Sequence, residues 1–353
     1  MSGIHYELDV RPGEGETMPL VDDILWLRMP LPFQLNHINL WLLRDTGGWV
    51  IVDTGLGTST TRRTWRNVFA DGMGNDPATH VIVTHLHPDH AGCADWLVGQ
   101  FDVDLWMTRE EYLLCRILIA DTGREAPPEG VRFYKAAGFS DEQLALYREN
   151  FGMFGKVVPG MPQAHRRLRD GERLEFAGHE WDVIVGRGHS PEHACLYDRG
   201  RNILISGDQI LPTISPNISI WPTEPQANPL QDFFESIDRL EELLPEDVLV
   251  LPAHGKPFRG AHARLEALRT EHLERLEILL DKGRDPIVFA GESVTCALPR
   301  GTERDIREEI DYFVDITDVF EVDTTVNEGT SESTNYNGTG FEVANVTATT
   351  FEL

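Results

Sequence analysis

The stretch "THLHPDHAG", residues 84 to 92, sets His85, His87 and His90 around Asp89 in a chain with only 13 histidines among 353 residues. Imidazole is seldom packing filler, and a carboxylate beside neutral imidazoles is a donor set for a divalent metal. The pattern H-x-H-x-D-H supplies four donors, too few for a closed site, so partners must come from elsewhere. Three positions answer that search: His189 follows the apolar run "WDVIVGRG", Asp208 follows "NILISG" and His254 follows "DVLVLPA". Each stands where a strand gives way to a loop, as His85 does after "HVIVT". A lone strand-end histidine is usually an ordinary hydrogen-bonded residue, so the expectation of a metal rests on the whole set. Five histidines and two aspartates suit two divalent ions sharing one bridging carboxylate. His193, in "GHSPEH", is expected to support the site from behind, whereas His80, His165, His179, His262 and His272 show no such placement.

The elements that must position these donors are legible as alternating runs. Residues 24 to 53 read as strands, "ILWLRMPL", "NHINLWLLRD" and "GGWVIVDTG", with Asp45-Thr46-Gly47-Gly48 turning the last two as a hairpin. "HVIVTH" is a short apolar strand ending on the cluster; "DHAGCADWLVGQF" reads as a helix, and "DVDLWMT" as a strand. From Thr108 to about Pro162 the pattern is helical. Thr108 with Glu111 and Ser140 with Gln143 have capping-box spacing, and Gly123 and Gly152 sit where helices could stop. Strands resume in "GERLEFAGHEWDVIVGRGHS", "ACLYD", "NILISGD" and "DVLVLPAHG", with helices at 229–244 and 261–282. That order predicts two sheets covered by helices on both outer faces, with the polar donors on loops at strand ends. Residues 108–162 read as a lid over the site. The Pro-rich loop after Asp208, "QILPTISPNISIWPTEP", reads as an apolar wall. Tyr112 of the lid and Trp221 of the wall are the candidate substrate contacts.

The bulk properties narrow the function. A formal net charge of −27 with 41% hydrophobic residues indicates a core-forming chain with an acidic surface. Nucleic-acid binders usually carry basic stripes; the densest basic run here is "HRRLR" at 165–169, so a small-molecule substrate is expected. No apolar run approaches the roughly 20 residues of a membrane helix, and no signal peptide is visible at the N-terminus. Cys93, Cys115, Cys195 and Cys296 are too scattered for a disulfide frame and read as free thiols of the cytoplasm. The residues from Asp318 onward hold seven acidic side chains and neither Lys nor Arg, the composition of a solvated, partly disordered tail. A homodimer is compatible with all of this.

"THLHPDH", "GHSPEH", "SGD" and "PAHG", in that order, resemble the metallo-β-lactamase-fold hydrolase superfamily, over roughly residues 24 to 258. The resemblance implies a four-layer αβ/βα sandwich of two mixed sheets. Its domain would span residues 1–258, including the helical lid insert at 108–162, with a helical appendage at 259–317 and the tail at 318–353. It implies a first metal on His85, His87 and His189, a second on Asp89, His90 and His254, and Asp208 as the bridge. Asp53, in "VDTG", matches a supporting position, although Asp-Thr-Gly is also a common turn. The metals would be zinc, with iron or manganese as alternatives. A hydroxide held between the two cations would be the nucleophile, with Asp89 as the catalytic residue that orients it and takes its proton. Asp208 argues against a true β-lactamase, which generally lacks an aspartate there. His87 argues against the oxygen-reducing diiron relatives, which carry a glutamate. The resemblance therefore favours the glyoxalase II, lactonase and ribonuclease Z-like branch: hydrolysis of a small thioester, ester or lactone. Two alternatives are a phosphodiesterase or ribonuclease of the same fold and a mononuclear iron persulfide dioxygenase.

Overall fold

A computed structural model describes residues 3–21 and 23–282. Cys296, the tail at 318–353 and the part of the appendage beyond 282 lie outside the described residues.

The first half of the chain comprises β1 (His5–Tyr6), β2 (Thr17–Val21), β3 (Ile24–Pro30), β4 (His37–Asp45), β5 (Gly48–Val52), α1 (Ser59–Asn67), β6 (Ala78–Ile82), α2 (Pro88–Ala91), α3 (Ala94–Phe101) and β7 (Leu105–Met107). Four helices follow, α4 (Arg109–Ala120), α5 (Pro128–Ala136), α6 (Asp141–Asn150) and α7 (Phe154–Val157). The remainder comprises β8 (Arg166–Arg167), β9 (Arg173–Phe176), β10 (His179–Gly186), β11 (His193–Asp198), β12 (Ile203–Gly207), α8 (Pro229–Leu243), β13 (Leu249–Pro252), β14 (Phe258–Arg259) and α9 (Ala261–Lys282). One seven-stranded sheet runs β2-β3-β4-β5-β6-β7-β8, and the other runs β1-β14-β13-β12-β11-β10-β9. Both are mixed: β5 to β8 pair in parallel in the first, and only β12 with β13 among the paired strands of the second. Asp45 pairs with Gly48 across the two-residue hairpin turn, where Gly47 takes φ +86.

The central strands look wholly apolar in sequence because they are buried on both faces. Alternation then sorts their side chains into different cores. Along β4, Ile38, Leu40 and Leu42 point to an outer core, while Trp41 and Leu43 point between the sheets. In β5, Trp49 and Ile51 face outward and Val50 and Val52 inward. The second sheet mirrors this: Ile203, Ile205, Leu249 and Leu251 face the first sheet, and Leu204 and Val250 face its own helices. Trp65 of α1, Leu97 of α3, Tyr112 and Cys115 of α4 and Phe154 of α7 close the first outer core. Phe233 and Ile237 of α8 with Leu265 and Leu268 of α9 close the other. The result is the αβ/βα sandwich expected.

Within 108–162, Ser140 and Gln143 do form a reciprocal cap, through Gln143 N donating to Ser140 Oγ at 3.3 Å and Ser140 N to Gln143 Oε1 at 2.7 Å. Thr108 and Glu111 do not. The Thr108 hydroxyl donates to the Glu192 carbonyl at 2.8 Å, and Glu111 turns inward, because buried tertiary partners outweigh a local cap. No described helix is long and apolar enough to cross a membrane.

Candidate metal centre

The donors collect along one edge of the sandwich. Asp53 follows β5, His85 follows β6, His189 follows β10, Asp208 follows β12 and His254 follows β13. Pro88 opens α2 with its fixed φ, so Asp89 and His90 fall in that helix's first turn beside His85 and His87. Two clusters result. His85, His87, His189 and Asp208 each bring one donor atom within 4.8 Å of the others, and so do Asp89, His90 and His254. Asp208 stands between them. Its Oδ2 is 3.5 Å from His90 Nε2 and 3.6 Å from His189 Nε2, while its Oδ1 is 3.5 Å from His254 Nε2. Asp89 Oδ2 is 3.4 Å from His254 Nε2.

The backing hydrogen bonds settle which nitrogens carry lone pairs inward. His90 Nδ1 donates to Asp53 Oδ2 at 2.8 Å, His189 Nδ1 to the Asn217 carbonyl at 2.7 Å and His254 Nδ1 to the His37 carbonyl at 2.8 Å. Thr84 Oγ1 donates to the Asp53 carboxylate and accepts from His85 Nδ1 at 3.1 Å. With Nδ1 protonated in all four, the neutral form of each imidazole turns its Nε2 lone pair inward. His85 Nε2 and His189 Nε2 nevertheless approach to 3.2 Å. Lone pairs crowded this way repel unless a cation lies among them. His90 Nε2 and Asp208 Oδ1 are buried without a hydrogen-bond partner, at variance with the rule that buried polar atoms are satisfied. The donor chemistry and these orphaned atoms fit divalent ions.

The electrostatics separate the two clusters, imidazole crowding acting on the first and carboxylates on the second. Burial, with the crowding of other imidazoles, holds His85 well below its ordinary pKa, and burial and His189 take His87 down to about 3. Burial also opposes charge on His90 and His254, but Asp53, Asp208 and Asp89 overcome it at His90, and Asp208 and Asp89 do so at His254, leaving both raised. Asp208 is held well below the carboxylate range despite burial, by His254 and His90.

Asp53 has φ +63, a left-handed conformation that Asp tolerates better than most side chains. His193 accepts from Asp208 N at 3.1 Å. Gly207 makes this contact feasible, since a Cβ there would lie 2.5 Å from His193 Nε2. Tyr112 and Trp221 are not brought to the cleft above the donors. Tyr112 is buried against His165, with its hydroxyl on the Pro162 carbonyl, and Trp221 packs against the first outer core. None of residues 108–162 lines the cleft, whose walls are Leu35, Leu211, Ile214, Ser215, Pro216 and Asn217 around the donors. The wall after Asp208 is thus present, formed by residues 211–217 rather than by the aromatic at 221.

Several supporting residues escaped the sequence reading. Asn39, fully buried, donates to the carbonyls of Pro252 and Gly255 and so clamps the His254 turn onto β4. Arg264 of α9 donates to the carbonyls of Leu211 at 2.6 Å and Ile214 at 2.7 Å, pinning the wall. Glu111 is fully buried, and burial pushes its carboxyl up to about 7 against the pull of its hydrogen bonds. Its signal was present: it lies four residues before buried Cys115, on the inward face of α4.

Fold and donor set together define a metallohydrolase. The chain belongs to the metallo-beta-lactamase superfamily, whose family profile matches residues 34–292, and it is a hydrolase of that fold. It resembles the solved beta-lactamase domain protein from Burkholderia ambifaria, with 39% identity and a TM-score of 0.71 over 80% of this chain and 85% of that one. It is 26% identical over 270 residues to acyl-coenzyme A thioesterase MBLAC2 of Bos taurus, covering 73% of this chain and 87% of the relative. It is 24% identical over 271 residues to the probable metallo-hydrolase YqjP of Bacillus subtilis (strain 168), covering 72% and 80%.

Proposed function

We propose that the protein is a binuclear, zinc-type thioesterase acting on small acyl thioesters in the reducing cytoplasm. The observation that carries this reading is the pair of donor clusters meeting at Asp208, with His90 Nε2 and Asp208 Oδ1 left without partners. His85, His87 and His189 would hold one cation, Asp89, His90 and His254 the other, and Asp208 both. When bound, such ions supply Lewis acidity and lower the pKa of water to around 7.

The chain's own residues do the rest. Asp89, partly open to the cleft, orients the attacking water and accepts its proton. Asp53, Asn217 O and His37 O keep the imidazoles in the tautomer that faces inward. Leu35, Leu211, Ile214 and Pro216 present an apolar surface beside the donors, suited to an acyl chain. Among the described residues, the lining includes no Lys, Tyr or Arg to protonate a departing group. A thiolate, whose parent thiol has a pKa near about 8.5, leaves without that help, whereas an amine or alkoxide leaves poorly. The thioesterase name of one relative agrees with this preference.

The test is hydrolysis of an acyl-coenzyme A panel by zinc-loaded protein, followed by thiol release, with His87→Ala as control. Turnover lost in the variant is expected. Equal rates in both proteins, or activity confined to phosphodiesters, would replace the thioesterase reading.

A further inference from the structure

We infer that Glu111 is a positioning residue for the first donor cluster, its one carboxylate locking the His85–His87 turn to the His189 loop. This rests on the two-cation reading above and goes beyond it by assigning a residue outside the donor set.

The geometry is specific. Glu111 Oε2 accepts from Leu86 N at 2.9 Å, and Leu86 is the residue between His85 and His87. Glu111 Oε1 accepts from Ser190 Oγ at 2.7 Å and from Glu192 N at 2.7 Å, and Ser190 directly follows His189. The two turns hang from different sheets, His85 from β6 in one and His189 from β10 in the other. Between those sheets lies a hydrophobic core, which attracts without direction and cannot set donor positions to a fraction of an ångström. Hydrogen bonds to a buried carboxylate can, being short and directional. The neighbouring residues of α4 reinforce the same loop: Thr108 Oγ1 donates to the Glu192 carbonyl at 2.8 Å, and Glu110 N donates to Glu192 Oε2 at 2.9 Å. A carboxylate kept fully out of water is expensive unless its partners are in place, and here three donors converge on it. The second cluster is held by other means, Asp53 behind His90 and the His37 carbonyl behind His254. Glu111 therefore acts on one cation and not on its neighbour.

The experiment is Co2+ titration of the metal-free full chain, wild type against Glu111→Gln and Glu111→Ala, followed by d–d absorption and chelator competition. Circular dichroism and the melting temperature of each metal-free protein are recorded alongside. Two ions per wild-type chain are expected. One site should weaken by about 10- to 100-fold in the Gln variant, as for other residues that orient metal-binding histidines, and more in the Ala variant, with the other site unchanged. The weakening should persist in a His254→Ala background and vanish in a His87→Ala background, the mark of coupling to the first cluster. Equal weakening of both sites, or a lowered melting temperature with both affinities intact, overturns the assignment. If Glu111→Ala does not fold, the Gln variant decides. A wild type that binds a single ion overturns the two-cation reading instead, and Glu111 is then judged on that ion: unchanged affinity in Glu111→Gln overturns the inference.

Discussion

Asp53→Asn isolates what one buried proton does for this site. Asp53 Oδ1 accepts from Thr84 N at 2.8 Å, and its Oδ2 accepts from His90 Nδ1 at 2.8 Å. An asparagine keeps the shape and also tolerates the left-handed backbone at φ +63, so no new backbone strain enters. The Thr84 amide needs an acceptor, which directs the asparagine oxygen there and leaves its NH2 facing His90. His90 must then accept at Nδ1 and carry its proton on Nε2, the atom that faces Asp208 and Asp89. Restoring the lone pair to Nε2 breaks a buried hydrogen bond and leaves two donors opposed, at about 1–3 kcal/mol. At about 1.4 kcal/mol per tenfold, affinity for the second cation should fall by roughly 5- to 150-fold. The first cluster should hold, because Thr84 can still donate to the retained oxygen and accept from His85. Chelator competition on the wild type and the variant, with the metal-free melting temperature as a fold control, measures this directly. Second-site affinity within about threefold of wild type would refute the tautomer argument.

Three further outcomes follow from the same geometry. Arg264→Met removes charged donors from the Leu211 and Ile214 carbonyls, so it should destabilise the fold by about 2–4 kcal/mol and raise KM while the bound metal stays at wild-type level; a urea melt with an unchanged KM would detach the wall from α9. Ile214→Asp places a charge on a side chain that is 37% exposed at the cleft; stability should move by no more than about 0.5 kcal/mol, while kcat/KM falls more for long acyl chains than for acetyl, and a uniform fall would argue against an apolar acyl surface. Cys93, Cys115 and Cys195 are buried, and burial pushes Cys93 up to about 12 and the other two higher; a disulfide reagent at pH 8 should therefore titrate at most one of the four thiols in folded protein and all four in denaturant, and two or more fast thiols would mean that the core opens.

The sequence by itself determined the layered fold and the donor inventory, for reasons local to the chain. Apolar runs ending in His85, His189, Asp208 and His254 encode strands that deliver polar atoms to one edge, and H-x-H-x-D-H places four donors within one turn of backbone. Tertiary structure decided what each neighbouring side chain does. Ile38, Leu40 and Leu42 read the same as Trp41 and Leu43 along β4, and only the stacking of two sheets assigns them to different cores. Glu111 has the spacing of a helix cap, yet Leu86, Ser190 and Glu192, distant in the chain, outbid the local partner. Tyr112 reads as an aromatic of a lid, but packing turns it inward against His165, and the cleft wall falls to Ile214 because Arg264 on α9 holds that loop in place. Periodicity and spacing are properties of a few consecutive residues. The partner of a buried carboxylate or carbonyl is not, because it comes from segments that meet only when the sheets stack.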